Sequence, residues 1–157
     1  MYIDVKDCGK AKADYSVSMI NFVIEKLMPR MAGRLGITVQ YVSNLRKNEG
    51  IYGDCIWEDD DYRPREFMIR LDRGLNLKTA MTTLAHEMVH VKQYARDEMR
   101  QLTTKRACRY NGELYKDGLD YWDQPWEIEA HGREVGLFIR WVEKEGLAHK
   151  PWAQEKC

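Results

Sequence analysis

Asn76-Leu77-Lys78-Thr79-Ala80-Met81-Thr82-Thr83-Leu84-Ala85-His86-Glu87-Met88-Val89-His90-Val91-Lys92-Gln93-Tyr94-Ala95 reads as one long amphipathic helix. Leu77, Ala80/Met81, Leu84, Met88, Val91 and Ala95 recur at three- and four-residue steps, and the pattern fades around Met99–Leu102. Inside it lies His86-Glu87-Met88-Val89-His90. Residues four apart share a helix face, so both imidazoles reach one metal ion. Glu87 stands one step, about 100°, further round, beside a water on that ion rather than on the ion itself. Imidazole nitrogens suit zinc, which lowers the pKa of its water toward about 7. Glu87 then takes the proton as the water attacks a carbonyl and passes it to the leaving amine.

A catalytic zinc takes three protein ligands and keeps one position open, so two histidines leave the set incomplete. A third histidine six residues past the motif is excluded, because position 96 is Arg96. The remaining donors lie in Pro125-Trp126-Glu127-Ile128-Glu129-Ala130-His131, at the start of a second helix. Asp123 and Pro125 open that helix, and Gly146 ends it after about Lys144. Ile128, Val135, Phe138, Ile139 and Val142 mark its apolar face. Glu127 falls about 60° from the middle of that face and Glu129 about 140° away. Glu127 is therefore the favoured third ligand, with Glu129 expected in solvent; Glu129 and His131 stand as alternatives. His131, one turn beyond Glu127, reads as a hydrogen-bond partner of His86, as a ligand, or as a core histidine. His149 reads as a surface residue.

Working outward, Tyr15–Met28 carries a helical apolar spacing, with Asp14 or Ser16 as cap and Pro29 as a stop. Ile37–Val42, Ile51–Trp57 and Phe67–Leu71 read as strands, the last in strict alternation. Asn111-Gly112 between Arg106–Tyr110 and Glu113–Lys116 predicts a hairpin with a type I′ turn. Glu58-Asp59-Asp60-Asp61 reads as a solvated loop, with a surface calcium site as the alternative. The order predicts one α+β domain over residues 1–157: N-terminal helix, small sheet, active-site helix, β-hairpin and C-terminal ligand helix.

The composition agrees. A chain of 157 residues has room for one domain, and 44% hydrophobic content excludes disorder as a default. Lys+Arg and Asp+Glu are 25 each, a neutral balance that argues against a protein built around phosphate backbones. Lys92, Arg96 and Arg100, followed by Lys105, Arg106 and Arg109, still form a stripe, interrupted by Asp97 and Glu98. It reads as a solvated helix face, with nucleic-acid contact as the alternative. Cys8, Cys55, Cys108 and Cys157 contain no close pair and read as reduced thiols. No apolar leader or membrane-length run is visible, so no membrane partner and a cytoplasmic location are expected.

Thr82-Thr83-Leu84-Ala85-His86-Glu87-Met88-Val89-His90, with Glu127-Ile128-Glu129-Ala130 about forty residues on, resembles small zincin metallopeptidases of the gluzincin type, in the compact SprT-like and ImmA/IrrE-like group. The resemblance covers residues 80–95 and 125–138. It implies a compact zincin-like domain with a small antiparallel sheet, a zinc cofactor on His86, His90 and Glu127, Glu87 as general base, and a protein or peptide substrate. In that group the residue four after the ligand Glu often hydrogen-bonds a zinc histidine; here it is His131 rather than Asp. The additional histidine that SprT-like proteins carry soon after the motif is absent. Tyr110, Arg109 and Tyr121, between the two ligand helices, are candidates for stabilising an oxyanion. The alternative function is a zinc-containing binding or regulatory module without protease activity, associated with DNA if the basic stripe is used.

Overall fold

In the computed structural model, which describes residues 1–59 and 62–154, the chain begins with a strand rather than a helix. β1 (Tyr2–Lys6) alternates Ile3 and Val5, turned toward the core, with Asp4 and Lys6 in solvent. α1 (Lys10–Leu27) starts well before the expected Asp14 or Ser16 cap: Gly9 is its N-cap, and Lys10 pairs with Asp14 at 2.8 Å one turn on. Pro29 ends it as expected, opening a short 3₁₀ turn at Pro29–Met31.

β2 (Gly36–Val42), the one-turn α2 (Leu45–Glu49), β3 (Gly53–Trp57) and β4 (Glu66–Asp72) follow. The four strands form one sheet in the order β1-β2-β4-β3. The architecture is α+β, but the expected antiparallel sheet is corrected: β1, β2 and β4 run parallel, and β3 alone is antiparallel, with Cys55 opposite Ile69. α1 is the reason, since it carries the chain back from β1 to β2, and such a crossover makes the pair parallel. Ile37, Val39 and Tyr41 align with Phe67, Ile69 and Leu71, and all six are buried on the helix-covered face. Gly53 is required where β3 begins: a Cβ there would stand 2.7 Å from the Arg70 carbonyl and 3.1 Å from Thr83.

α3 (Leu77–Ala95) crosses this face, capped by Asn76, whose Oδ1 accepts the Thr79 N–H at 2.8 Å. Every residue from Leu84 to Ala95 is buried, because the sheet and α1 enclose the helix together with a later one. β5 (Met99–Leu102), where the helical pattern fades, adds a third strand to the hairpin of β6 (Ala107–Tyr110) and β7 (Glu113–Lys116). Asn111 and Gly112 both have positive φ, 48° and 84°, as a type I′ turn demands.

α4 (Pro125–Lys144) packs along α3, and α5 (Pro151–Gln154) closes the described chain. The rotation of α4 differs from expectation. Ala130, Leu137, Phe138, Trp141 and Val142 are buried, whereas Ile128, Val135 and Ile139 are about half exposed. The largest side chain decides: Trp141 is wholly buried, its indole N–H donating to Ser18 Oγ at 3.0 Å. Val135 and Ile139 instead border a shallow groove of about 300 Å³ beside Thr82.

Cys8, Cys55 and Cys108 are free thiols, while Cys157 lies outside the described residues. Asp59 accepts the backbone N–H groups of Arg65 and Glu66 at 3.0–3.1 Å; Asp60 and Asp61, half of the acidic cluster, lie outside the described residues. Among the described residues no helix is long and apolar enough to cross a membrane.

Candidate metal centre

Helical spacing on α3 and α4 brings three donors together. Glu127 reaches across with Oε2 3.1 Å from His86 Nε2 and Oε1 3.2 Å from His90 Nε2. Zinc bonds of about 2.0–2.1 Å at tetrahedral angles would set donor atoms about 3.3 Å apart, so the two nitrogens and one carboxylate fit zinc. The expected set His86, His90 and Glu127 is thus assembled in one place, with all three donors within 4.8 Å of one another.

The outer nitrogens are occupied as well. His86 Nδ1 lies 2.7 Å from Glu134 Oε2, and His90 Nδ1 lies 2.8 Å from Gln93 Oε1. Both groups flanking His86 are carboxylates, which only accept, so without a metal His86 donates from both ring nitrogens; a metal on Nε2 would leave the hydrogen on Nδ1, toward Glu134. Glu134 and Gln93 were not foreseen. Their sequence signal is spacing: Glu127, His131, Glu134, Phe138 and Trp141 lie within about 80° on a helical wheel. His86, His90 and Gln93 repeat the same steps on α3.

His131 is therefore corrected: Glu134, not His131, holds the outer nitrogen of His86. The His131 ring lies against that of His86, centroids 4.5 Å apart, with Nδ1 3.3 Å from Glu134 and Nε2 2.9 Å from the Tyr121 hydroxyl. Tyr121 donates to Glu127 Oε2 at 2.9 Å, so it belongs to the cluster. Burial and that carboxylate push its phenol pKa up, which keeps it a donor over the working range of a protein. Tyr110 and Arg109 turn elsewhere, to Glu129 and Asp97, each at 2.9 Å.

Glu129 is corrected too. It faces away from the donor cluster but is not in solvent: it accepts from Lys92 at 2.5 Å, Arg133 at 2.8 Å, Tyr110 at 2.9 Å and Gln93 at 3.0 Å. Burial alone would raise its pKa, but these donors outweigh that and bring it down to about 2. Part of the basic stripe is paired in the same way. Lys92 is buried between Glu98 and Glu129, Arg96 pairs with Glu98, and Arg100 and Arg109 share Asp97. Lys105 and Arg106, the remaining members of the stripe, are exposed. His149 is exposed, as expected.

The cluster forms the floor of a cleft of about 1020 Å³ between β3 on one side and Trp122, Trp126 and Val135 on the other. Glu87 lines this cleft, buried, outside the donor set. Burial, reinforced by the charges of Glu127 and Asp54, prevails over the two histidines and raises its pKa to about 7. A carboxyl so poised exchanges protons near neutrality.

Within the cluster itself, burial alone would lower the His86 pKa, but hydrogen bonds to Glu127 and Glu134 raise it to about 10. Burial would raise Glu127, and the two histidines hold it well below the usual carboxylate range. This predicts opposite pH slopes for two preparations. In chelator-treated protein the His86 contribution is complete below its unfolded value of about 6.5 and is lost as pH rises through about 10. The Glu127 contribution is complete above the unfolded carboxylate value and is lost in acid. In zinc-loaded protein the ligating imidazoles are unprotonated when folded, so stability rises as pH climbs from 5 to 7.5. Melting temperatures with and without zinc should diverge above pH 6.5; parallel curves would contradict a shared proton-and-metal site. Scans of protein-family models, curated proteins and solved structures found no match to the chain.

Proposed function

We propose that this chain is a zinc-dependent metallopeptidase that hydrolyses peptide bonds in a protein or peptide substrate. The observation that supports it best is the placement of Glu127 across the two Nε2 atoms of His86 and His90, with Glu87 beside them in an open cleft. His86, His90 and Glu127 would hold the ion, and Glu134 and Gln93 would orient the two imidazoles. When bound, zinc supplies a Lewis acid that acidifies water and polarises a carbonyl.

The chain's own groups do the rest. Glu87 accepts a proton from the attacking water on its carboxylate and returns it to the leaving nitrogen, a task suited to its buried place in the cleft beside the donor set. Tyr121, a half-exposed phenol at the cluster, donates a hydrogen bond to the developing oxyanion by releasing Glu127. His131, hydrogen-bonded to the Tyr121 oxygen, holds that phenol in place. The walls formed by β3 and the Trp122 and Trp126 side enclose a polypeptide segment and limit water.

The test is zinc content of protein purified without added metal, measured beside cleavage of a peptide library. One zinc per chain with chelator-reversible cleavage is the expected result. One zinc per chain with no cleavage of any peptide or protein would instead point to a zinc-containing binding module. The pairing of Lys92, Arg96 and Arg100 with acids speaks against nucleic acid as the partner of such a module.

A further inference from the structure

Gln93 sits between the metal centre and the buried ionic cluster around Glu129. Its Nε2 lies 2.9 Å from the Trp126 carbonyl oxygen and 3.0 Å from Glu129 Oε1. Both neighbours only accept, so both amide hydrogens are used there and the other end of the amide must be the oxygen. That oxygen lies 2.8 Å from His90 Nδ1. An oxygen in that place requires a hydrogen on Nδ1, and the neutral ring then has its lone pair on Nε2, the atom 3.2 Å from Glu127 Oε1. Turning the amide over would set its oxygen against a carboxylate and a carbonyl, and its nitrogen against His90.

Glu129 cannot donate in return, because Lys92, Arg133 and Tyr110 already donate to it. We propose that Glu129 is a positioning residue for the metal centre, acting through Gln93 to hold His90 in the tautomer that presents Nε2 to the ion. The inference rests on the zinc reading above. It gives Glu129 a part without contact with the metal, and it ties His90 to the N-terminal end of α4, which also carries Glu127. The order of action is Lys92, Arg133 and Tyr110 on Glu129, Glu129 on the Gln93 amide, and Gln93 on His90.

The experiment measures apparent zinc affinity by competition with a chromophoric chelator for Gln93→Met, Glu129→Met and the double variant. Losses of partners that orient a metal-bound histidine are about 10–100-fold, and each single variant is expected in that range. Because both act along one path, the double variant should lose no more than the worse single one. Nitrogen-15 NMR of the zinc-loaded proteins should show His90 ligating through Nε2 with the hydrogen on Nδ1 in the wild type, and a weakened Nδ1 hydrogen bond in Gln93→Met. Glu129→Met leaves Lys92 buried beside Glu98 alone and is the variant at risk of unfolding, so Glu129→Met is also made together with Lys92→Met, which removes the buried pair as a unit. That variant tests the Glu129 step, and Gln93→Met tests the step to His90. A folded Glu129→Met/Lys92→Met protein with zinc affinity within threefold of wild type overturns the part given to Glu129. Affinity of Gln93→Met within threefold of a wild type that binds zinc overturns the relay. A wild type that binds no zinc overturns the metal reading beneath it.

Discussion

Glu87→Gln should keep its zinc and lose its cleavage. The amide has nearly the same shape as the carboxylate and lies outside the donor set, so one zinc per chain is retained. What is lost is the proton acceptor. General acid–base contributions are typically about 10²–10⁴-fold, and turnover should fall by that amount with little change in KM. Substitution should also stabilise the chain slightly, because an amide carries no charge into the buried place that raises this carboxyl to about 7. The measurement is steady-state cleavage of a fluorogenic peptide beside metal analysis of the same preparation. Full activity in Glu87→Gln would remove the general-base assignment; loss of zinc together with activity would move Glu87 into the ligand set.

Glu127→Ala should do the reverse and strip the metal. It removes the carboxylate whose two oxygens face the two Nε2 atoms and leaves two histidines, too few for a tight zinc site. Zinc affinity should fall by more than a hundredfold, and activity should disappear with it. Glu134→Ala should cost about 10–100-fold in affinity, since it removes the acceptor on His86 Nδ1 at 2.7 Å. His131→Ala should cost less than Glu134→Ala, because His131 touches the centre through Tyr121 and ring contact rather than through a ligand nitrogen. Chelator-competition titrations of the three variants give the order directly. Zinc bound to Glu127→Ala as tightly as to wild type would refute the assignment of the third ligand.

The donors were legible because a helix converts spacing into direction. His86 and His90 needed only the four-residue step, and the apolar recurrence from Leu77 to Ala95 supplied the helix. Glu127 was reached through a face that proved partly wrong. Ile128, Val135 and Ile139 count as core by hydrophobicity, yet they lie about half exposed, while Trp141 and Leu137 fill the interior. The two faces overlap at Phe138 and Val142, and Glu127 lies near enough to both to turn toward His86 and His90. The expectation for Glu129 failed, because its partners Lys92, Gln93 and Tyr110 come from other elements that a wheel of one helix does not contain. Glu134 was obscured by the expectation of a partner four residues after the ligand, when the useful spacing was seven. The parallel pairing of β1 with β2 was hidden for a related reason: Tyr2–Lys6 alternates clearly, but strand direction is settled by the α1 crossover rather than by either strand's own residues.

The most direct test is a crystal structure of zinc-soaked protein with anomalous data collected at the zinc edge. A single strong peak should lie about 2.0–2.2 Å from His86 Nε2, His90 Nε2 and a Glu127 oxygen, with Glu87 near it but not bound. A peak on His131 and Glu134 alone, or no peak between α3 and α4, would contradict the assignment.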